Sequence, residues 1–201
     1  MTPKPQRIIL DLCGGTGSWS NPYREAGYDV RLITLPDNDV RTYQPPENVY
    51  GILAAPPCTM FSWARTNAKK PRDLKAGIEI VQACIRIVHE CQWMTQYRYQ
   101  KYTTLKFWVM ENPSKGFLSQ MWGKPWFEFD PWEFGDNYKK KTALWGNFNA
   151  PAKRPIKCTA PKFDRLLTKE IHPEYYGKLD RQARRAITPQ GFAKAFFEAN
   201  P

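Results

Sequence analysis

Short apolar runs separated by turn residues fill the first third of the chain. Three of these runs, at residues 7–12, 30–34 and 49–55, have the length of buried strands and lie close to Gly, Pro or Asp. Residues 18–26 have the length of a short helix, and Gly27 stands just past its end. Because strands alternate with helices, the pattern predicts an α/β fold with a mostly parallel sheet flanked by helices.

The rest of the chain continues this alternation. Residues 73–98 carry apolar side chains at three- and four-residue spacing, which predicts the longest helix, and Cys84 and Cys91 fall on its apolar side as core residues. Further strands are predicted at residues 105–110, 127–134 and 142–148, and a closing helix at 189–200. We therefore expect a core over residues 1–148, a small insert over 149–184, and a C-terminal helix over 185–201 that completes the core.

Length and composition limit the class of protein. A chain of 201 residues has the length of one domain, and no stretch approaches the roughly 20 apolar residues of a membrane span. Five cysteines with no CxxC pair predict neither a disulfide framework nor a structural metal; His89 with Cys91 is a weak alternative for a metal. These features predict a soluble protein of the cytoplasm.

A basic surface is indicated by the charge. Thirty Lys and Arg residues against nineteen Asp and Glu give a formal net charge of +11, which favours a polyanionic partner such as nucleic acid. Residues 149–185 hold ten of the basic and four of the acidic residues, together with Tyr175 and Tyr176. Basic residues mixed with aromatics suit a surface that binds phosphates and stacks bases, although a solvated basic loop has the same composition.

Two kinds of motif stand where predicted strands end. Asp11 to Gly17 (DLCGGTG) lies between a strand and a helix, as a nucleotide-binding turn requires, but without the GxGxxG spacing of dinucleotide sites. Cys58 follows two prolines, and Glu111 ends another strand at the same predicted edge of the sheet. A thiol and a carboxylate there could attack and activate a polarisable ring; otherwise Cys58 is a buried loop cysteine and Glu111 a helix cap.

The order of these motifs resembles the DNA cytosine-5 methyltransferase family. DLCGGTGSW, APPCTMFS, ENP, KKKTALW and AITPQGFAKAF follow one another as the family's DLFAGxGG-like, GPPCQxFS-like, ENV, RxR and late motifs do. The resemblance covers residues 7–62, 105–146 and 185–201, and the short chain is similar to compact, phage-type orphan members. It implies a Rossmann-like, S-adenosylmethionine-dependent methyltransferase fold.

The resemblance also implies roles for individual residues. Cys58 matches the nucleophile that adds to C6 of a flipped-out cytosine, Glu111 the acid at N3, and Lys139 and Lys141 the two arginines of RxR, the second of which contacts O2. Residues that match or neighbour the S-adenosylmethionine site are Asp11, Cys13, Gly15, Thr16, Gly17, Asp37, Asp39 and Pro56. Candidate contacts to double-stranded DNA are Ser62, Arg65, Lys69, Lys153, Arg154 and Lys157.

The chain departs from the family's pattern at several positions. Lysine replaces arginine in Lys139-x-Lys141, and a lysine lacks the bidentate fork of arginine. Leu35 and Pro36 stand where the acid for the cofactor ribose is usual, so that Asp37 is the nearest candidate. Arg184-Arg185 replaces Gly-Asn in the late motif. The large target-recognition domain is absent, which implies short or relaxed sequence recognition, or a partner chain that supplies it.

Three functions are compatible with the sequence. The first is DNA cytosine-5 methylation, in which thiolate addition at C6 makes C5 nucleophilic toward the sulfonium methyl. The second keeps the fold and the nucleophile but acts on RNA, because composition does not separate duplex DNA from structured RNA. The third is a catalytically silent nucleic acid-binding module, for which Cys58 and Glu111 would have no chemical use.

Overall fold

A computed structural model describes residues 6–63, 69–94, 104–159 and 173–201. Six strands form a single sheet in the order β2-β1-β3-β4-β6-β5. The strands are β1 (Ile8–Leu12), β2 (Asp29–Ile33), β3 (Val49–Ala54), β4 (Phe107–Pro113), β5 (Phe127–Phe129) and β6 (Thr142–Asn147). The pairs among β1 to β4 are parallel, whereas β6 is antiparallel to both of its neighbours. The predicted α/β, Rossmann-like class is thus confirmed.

Helices cover both faces of the sheet. They are α1 (Asn21–Glu25), α2 (Leu74–His89), α3 (Phe117–Trp122), α4 (Arg181–Ala186) and α5 (Gln190–Ala199). Successive strand residues point to opposite faces, so Leu10 packs in the cluster that contains α2, and Ile9 in the cluster that contains Trp19 and Phe196. The core therefore has two apolar layers with the sheet between them.

The C-terminal helix α5 belongs to the second layer. Phe192 stacks on Phe129 with ring centroids 4.0 Å apart, and Phe196 packs edge-on against Trp19 at 5.6 Å. Tyr23 donates its hydroxyl to the carbonyl of Asn200 at 2.9 Å. Residues far apart in sequence thus pack in one core.

Several element boundaries differ from the sequence predictions. The strand predicted at 127–134 ends at Phe129, because Pro131 cannot donate to a strand ladder and Asp130 caps a 3-10 turn at Pro131–Phe134. The helix predicted at 18–26 is shortened to α1, which begins after its N-cap Ser20, with a proline in its first turn. Helix α2 ends at His89 and continues as a π-turn to Met94; residues 95–98 of the prediction lie outside the described residues.

Two further elements were not predicted from the periodicity. Helices α3 and α4 have six residues each, which is too short for a repeated apolar face. Within the described residues, no helix has both the length and the apolar character needed to cross a membrane.

Candidate active site

The candidate site lies at the edge of the sheet where the parallel strands β1, β3 and β4 end. Strand β2 pairs with one side of β1 and forms an edge of the sheet, whereas β3 and β4 lie on the other side of β1. Such a reversal of strand order opens a crevice at the carboxyl ends of the strands, where α/β proteins bind ligands. Three segments reach this edge: the glycine-rich turn after β1, the Pro-Pro-Cys loop (residues 56–63) after β3, and the end of β4.

The glycine-rich turn has a backbone that side chains would obstruct. Gly15 and Gly17 have φ values of 57° and 71°, and Cys13 also lies in the left-handed region at 57°. A Cβ atom on Gly14 would lie 2.3 Å from the Asp11 carboxyl group, whereas one on Gly15 would meet nothing within 4 Å. Thr16 contacts Ser18 through their hydroxyl oxygens at 3.2 Å. The turn thus leaves open space at Gly15 while it folds over Asp11.

Asp11 is a fully buried carboxyl group beneath this turn. Ser20 donates its hydroxyl to Oδ2 of Asp11 at 2.5 Å, and Oδ1 has no hydrogen-bond partner among the described residues. Burial raises the pKa of Asp11 to about 6, although the Ser20 hydrogen bond and the charge of Arg24 act to lower it. A buried acceptor without a partner has the chemistry to receive a ligand's N–H or a cation.

This raised pKa makes the stability of the fold depend on pH. Between about pH 4 and pH 6 the folded chain keeps a proton on Asp11 that the unfolded chain has lost, so the free energy of unfolding falls as pH rises. We expect Asp11→Asn to remove about 3 kcal/mol of this fall between pH 4 and pH 7. Urea unfolding of both proteins across that range measures the difference. Asp37→Asn, at an exposed carboxylate, is the control; parallel curves for wild type and Asp11→Asn would contradict the prediction.

The Pro-Pro-Cys loop is fastened to β4. Pro56 is buried, and its carbonyl accepts a hydrogen bond from Nδ2 of Asn112 at 3.0 Å. Cys58 opens a 3-10 turn at Cys58–Met60, and the backbone N–H of Ser62 donates to its carbonyl at 2.8 Å. The Asn112 side chain therefore ties the position of the loop to β4, the strand that carries Glu111.

A second attachment comes from Arg72. Its guanidinium donates to the carbonyls of Met60 at 3.0 Å and Ser62 at 2.9 Å. Ser62 also forms a β-bridge with Gly116. These bonds hold Ser62, a predicted DNA contact, in a fixed backbone conformation.

Cys58 and Glu111 come close enough for their charges to interact. Burial, and then the charge of Glu111, raise the pKa of the Cys58 thiol, while Lys140 and Arg185 act to lower it. Burial also raises the pKa of Glu111, and the charge of Lys140 opposes that shift. These surroundings favour the protonated thiol, and they make the carboxyl group hold its proton more readily than an exposed glutamate does.

The lysine whose charge acts on both members of this pair is Lys140, whereas the RxR comparison predicts roles for its neighbours Lys139 and Lys141. Lys139 and Lys141 are exposed, whereas Lys140 is half-buried and its Nζ donates to the carbonyl of Arg185 at 2.9 Å. The backbone N–H of Lys140 is bound to Asp130 at 2.8 Å, which fixes the register of this segment. The lysine that acts on the thiol is therefore one residue away from each of the two positions that the RxR motif aligns.

The two acids that follow β2 differ in their surroundings. Asp37 is exposed in the turn after the strand. Asp39 forms an ion pair with Arg41 at 2.5 Å, and the Arg41 hydrogen bonds lower the pKa of Asp39. A ligand amine at Asp39 would therefore have to share that carboxylate with Arg41.

The predicted phosphate contacts are only partly available. Lys153 donates to Oε1 of Glu133 at 2.8 Å and to the carbonyl of Glu128 at 3.2 Å, so an acidic neighbour offsets its charge. Arg154 and Lys157 are exposed, the former 3.7 Å from Glu198, and Lys69 is exposed as well. Arg65 lies outside the described residues.

Sequence reasoning missed four residues of this site. Lys140 and Arg185 supply charge near Cys58, and Asn112 and Arg72 hold the loop. Asn112 could have been inferred from its place in the ENP tripeptide, next to Glu111. The other three depend on side-chain directions that spacing does not give.

The fold and the site define a Rossmann-like α/β domain with a thiol and a carboxyl group at the edge of its sheet where the parallel strands end. No protein-family model matches the chain, and no curated protein matches its sequence. Among solved structures, the chain is similar to a methyltransferase from Entamoeba histolytica, with 11% identity and a TM-score of 0.37 over 79% of this chain. The match spans 58% of that protein's length.

Proposed function

We propose that this chain is a DNA cytosine-5 methyltransferase that uses S-adenosylmethionine. The observation that carries the proposal is the pairing of Cys58 with Glu111 at the carboxyl edge of the parallel strands, with Lys140 acting on both. A thiol, a carboxyl group that can take up and give a proton, and a cation are the groups that addition to a cytosine ring requires: a nucleophile, an acid at N3 and a charge near O2. The order of the sequence motifs supports the same assignment.

The residues of the glycine-rich turn suit the proposed cofactor. The open backbone at Gly15 and the unpartnered Oδ1 of Asp11 offer room and a hydrogen-bond acceptor. Asp11, Cys13, Gly15, Thr16 and Gly17 would hold S-adenosylmethionine from this turn, with Pro56 on the facing loop. Asp37 and Asp39 are the carboxylates that the chain offers to its ribose and adenine. When bound, S-adenosylmethionine supplies an electrophilic methyl group on a sulfonium.

The reaction then follows from the chain's own side chains. Cys58 gives its proton to solvent and adds through sulfur to C6, while Glu111 gives its proton to N3, so that the ring electrons collect at C5. C5 forms the new bond to the methyl group as the methyl–sulfur bond breaks, and the electron pair of that bond stays on the sulfur of the neutral leaving group, S-adenosylhomocysteine. Loss of the C5 proton to solvent and expulsion of the Cys58 thiolate restore the aromatic ring, N3 returns its proton to Glu111, and the thiolate takes up a proton from solvent. Cys58 and Glu111 are thereby regenerated.

Access to the ring imposes a further requirement. C5 and C6 are covered by neighbouring bases in a duplex, so the cytosine must flip out at a cost of a few kcal/mol. Phosphate contacts from the net charge of +11 would offset that cost. Arg154, Lys157 and Lys69 are exposed residues that suit this role. In place of a large recognition domain, a partner chain could extend the DNA contact.

The test is base-resolution cytosine sequencing of plasmid DNA from a host without cytosine methylation of its own. We expect 5-methylcytosine with the wild type and with Cys158→Ala, a cysteine outside the site, but not with Cys58→Ala. Methylation by Cys58→Ala would remove Cys58 as the nucleophile. If none of the three proteins methylates DNA, the same readout on total RNA separates an RNA methyltransferase from a silent binding module; either result overturns the DNA assignment.

A further inference from the structure

An exposed tryptophan stands at the end of the Pro-Pro-Cys loop. Trp63 keeps 47% of its surface exposed, although a large aromatic side chain normally gains by burial. The indole and the Phe117 ring meet in an edge-to-face contact, with ring centroids 6.5 Å apart and planes at 77°. Phe117 thus supports the ring, while about half of the Trp63 surface stays exposed.

The backbone at Trp63 is held on two sides. Its N–H donates to the carbonyl of Lys115 at 3.3 Å, and the N–H of Phe117 donates to the carbonyl of Phe61 at 3.0 Å. On the other side of the loop are the two hydrogen bonds from Arg72 described above. Because the position of the ring is largely fixed in advance, little conformational entropy is lost when it binds a partner.

Trp63 is also close to Cys58. The hydrogen bond from the Ser62 N–H to the Cys58 carbonyl closes one helical turn, so the Cα atoms of residues 58 and 63 lie within about 10 Å of each other. Bases along a strand are about 3.4 Å apart. Because the sulfur and the indole ring extend by about 3 and about 4 Å from their Cα atoms, the ring lies within about 17 Å of the thiol, and it reaches a base within about five steps of the reacting cytosine.

We propose that Trp63 stacks on a base beside the flipped cytosine and so positions the DNA strand. The proposal rests on the proposed function, since it takes its partner from it. Lys115, whose carbonyl accepts the hydrogen bond from the Trp63 N–H, is exposed and supplies a positive charge on the neighbouring segment for the phosphates of that strand. An indole stacks on every base, so this contact strengthens binding without reading a sequence.

The test compares the kinetics of methylation of a duplex by purified variants. Because base–aromatic stacking is worth about 1–3 kcal/mol, Trp63→Ala should raise KM for DNA by roughly 5- to 150-fold, with kcat changed far less. Trp63→Phe should restore most of the affinity. The matched control is Trp93→Ala, which removes another exposed tryptophan. Helix α2 begins beside the Pro-Pro-Cys loop, and Trp93 lies beyond its other end, about 25 Å from that loop.

Indole fluorescence gives a second readout that does not need the alanine variant to fold. DNA should quench the wild type and Trp93→Phe more than Trp63→Phe. An unchanged KM in Trp63→Ala, or equal quenching in all three proteins, would overturn the stacking role while methylation by the wild type continued. If the wild type neither binds nor methylates DNA, the proposed function itself fails, and the stacking proposal with it.

Discussion

Purified Cys58→Ser should lose at least about 10⁴-fold in methylation rate and still bind duplex DNA. The alcohol of serine is a far weaker acid than a thiol, and the site already disfavours an anion at this position, because burial and Glu111 raise the pKa of Cys58. Single-turnover methylation with labelled S-adenosylmethionine measures the rate, and a gel-shift titration measures the binding. Cys158→Ser, outside the site, should keep full activity.

The same experiment can detect the covalent step directly. A duplex with 5-fluorocytosine at the target carries fluorine where C5 must lose a proton, so the ring cannot release the Cys58 sulfur after methyl transfer. We expect an adduct that survives denaturation with the wild type and none with Cys58→Ser. Full turnover by Cys58→Ser, or an adduct that maps to another cysteine, would show that Cys58 is not the nucleophile.

The apolar runs were enough to predict most of the sheet. A buried strand such as β1 or β3 needs a continuous apolar segment, and both ended within a residue of the predicted limit. The aromatic residues at 127–134 favour a strand over the whole run. Pro131 opposes it, because proline has no N–H to donate to a neighbouring strand, and the strand ends at Phe129. Six-residue helices such as α3 gave no periodic signal at all.

The sequence predicts only part of the candidate site, for a different reason. Parallel strands end at the same edge, so Cys58 after β3 and Glu111 in β4 could be expected to meet. Which of three consecutive lysines acts on them depends on the hydrogen bonds that Lys140 donates to Asp130 and to Arg185, which no spacing rule contains. Which of several neighbouring basic residues acts on the thiol is therefore the part of this site that sequence patterns do not determine.

Glu111→Gln should slow methylation by about 10²- to 10⁴-fold while it makes the Cys58 thiol more reactive. The loss of rate follows because an amide cannot give a proton to N3. The gain in reactivity follows because the negative charge of Glu111 raises the pKa of Cys58, and its removal lets the thiolate form at lower pH. Lys140→Gln should have the opposite effect on the thiol, since Lys140 lowers the pKa of Cys58.

These opposite signs can be measured without DNA or cofactor. Iodoacetamide alkylation of Cys58, followed across pH by mass spectrometry of its peptide, should shift to lower pH in Glu111→Gln and to higher pH in Lys140→Gln. Lys139→Gln removes an exposed charge one residue away and should leave the profile nearly unchanged. If Lys139→Gln moved the profile as far as Lys140→Gln, the sequence-based choice of lysine would be right and the assignment of Lys140 wrong. If Glu111→Gln left the profile in place, the carboxyl group would not be the neighbour that controls this thiol.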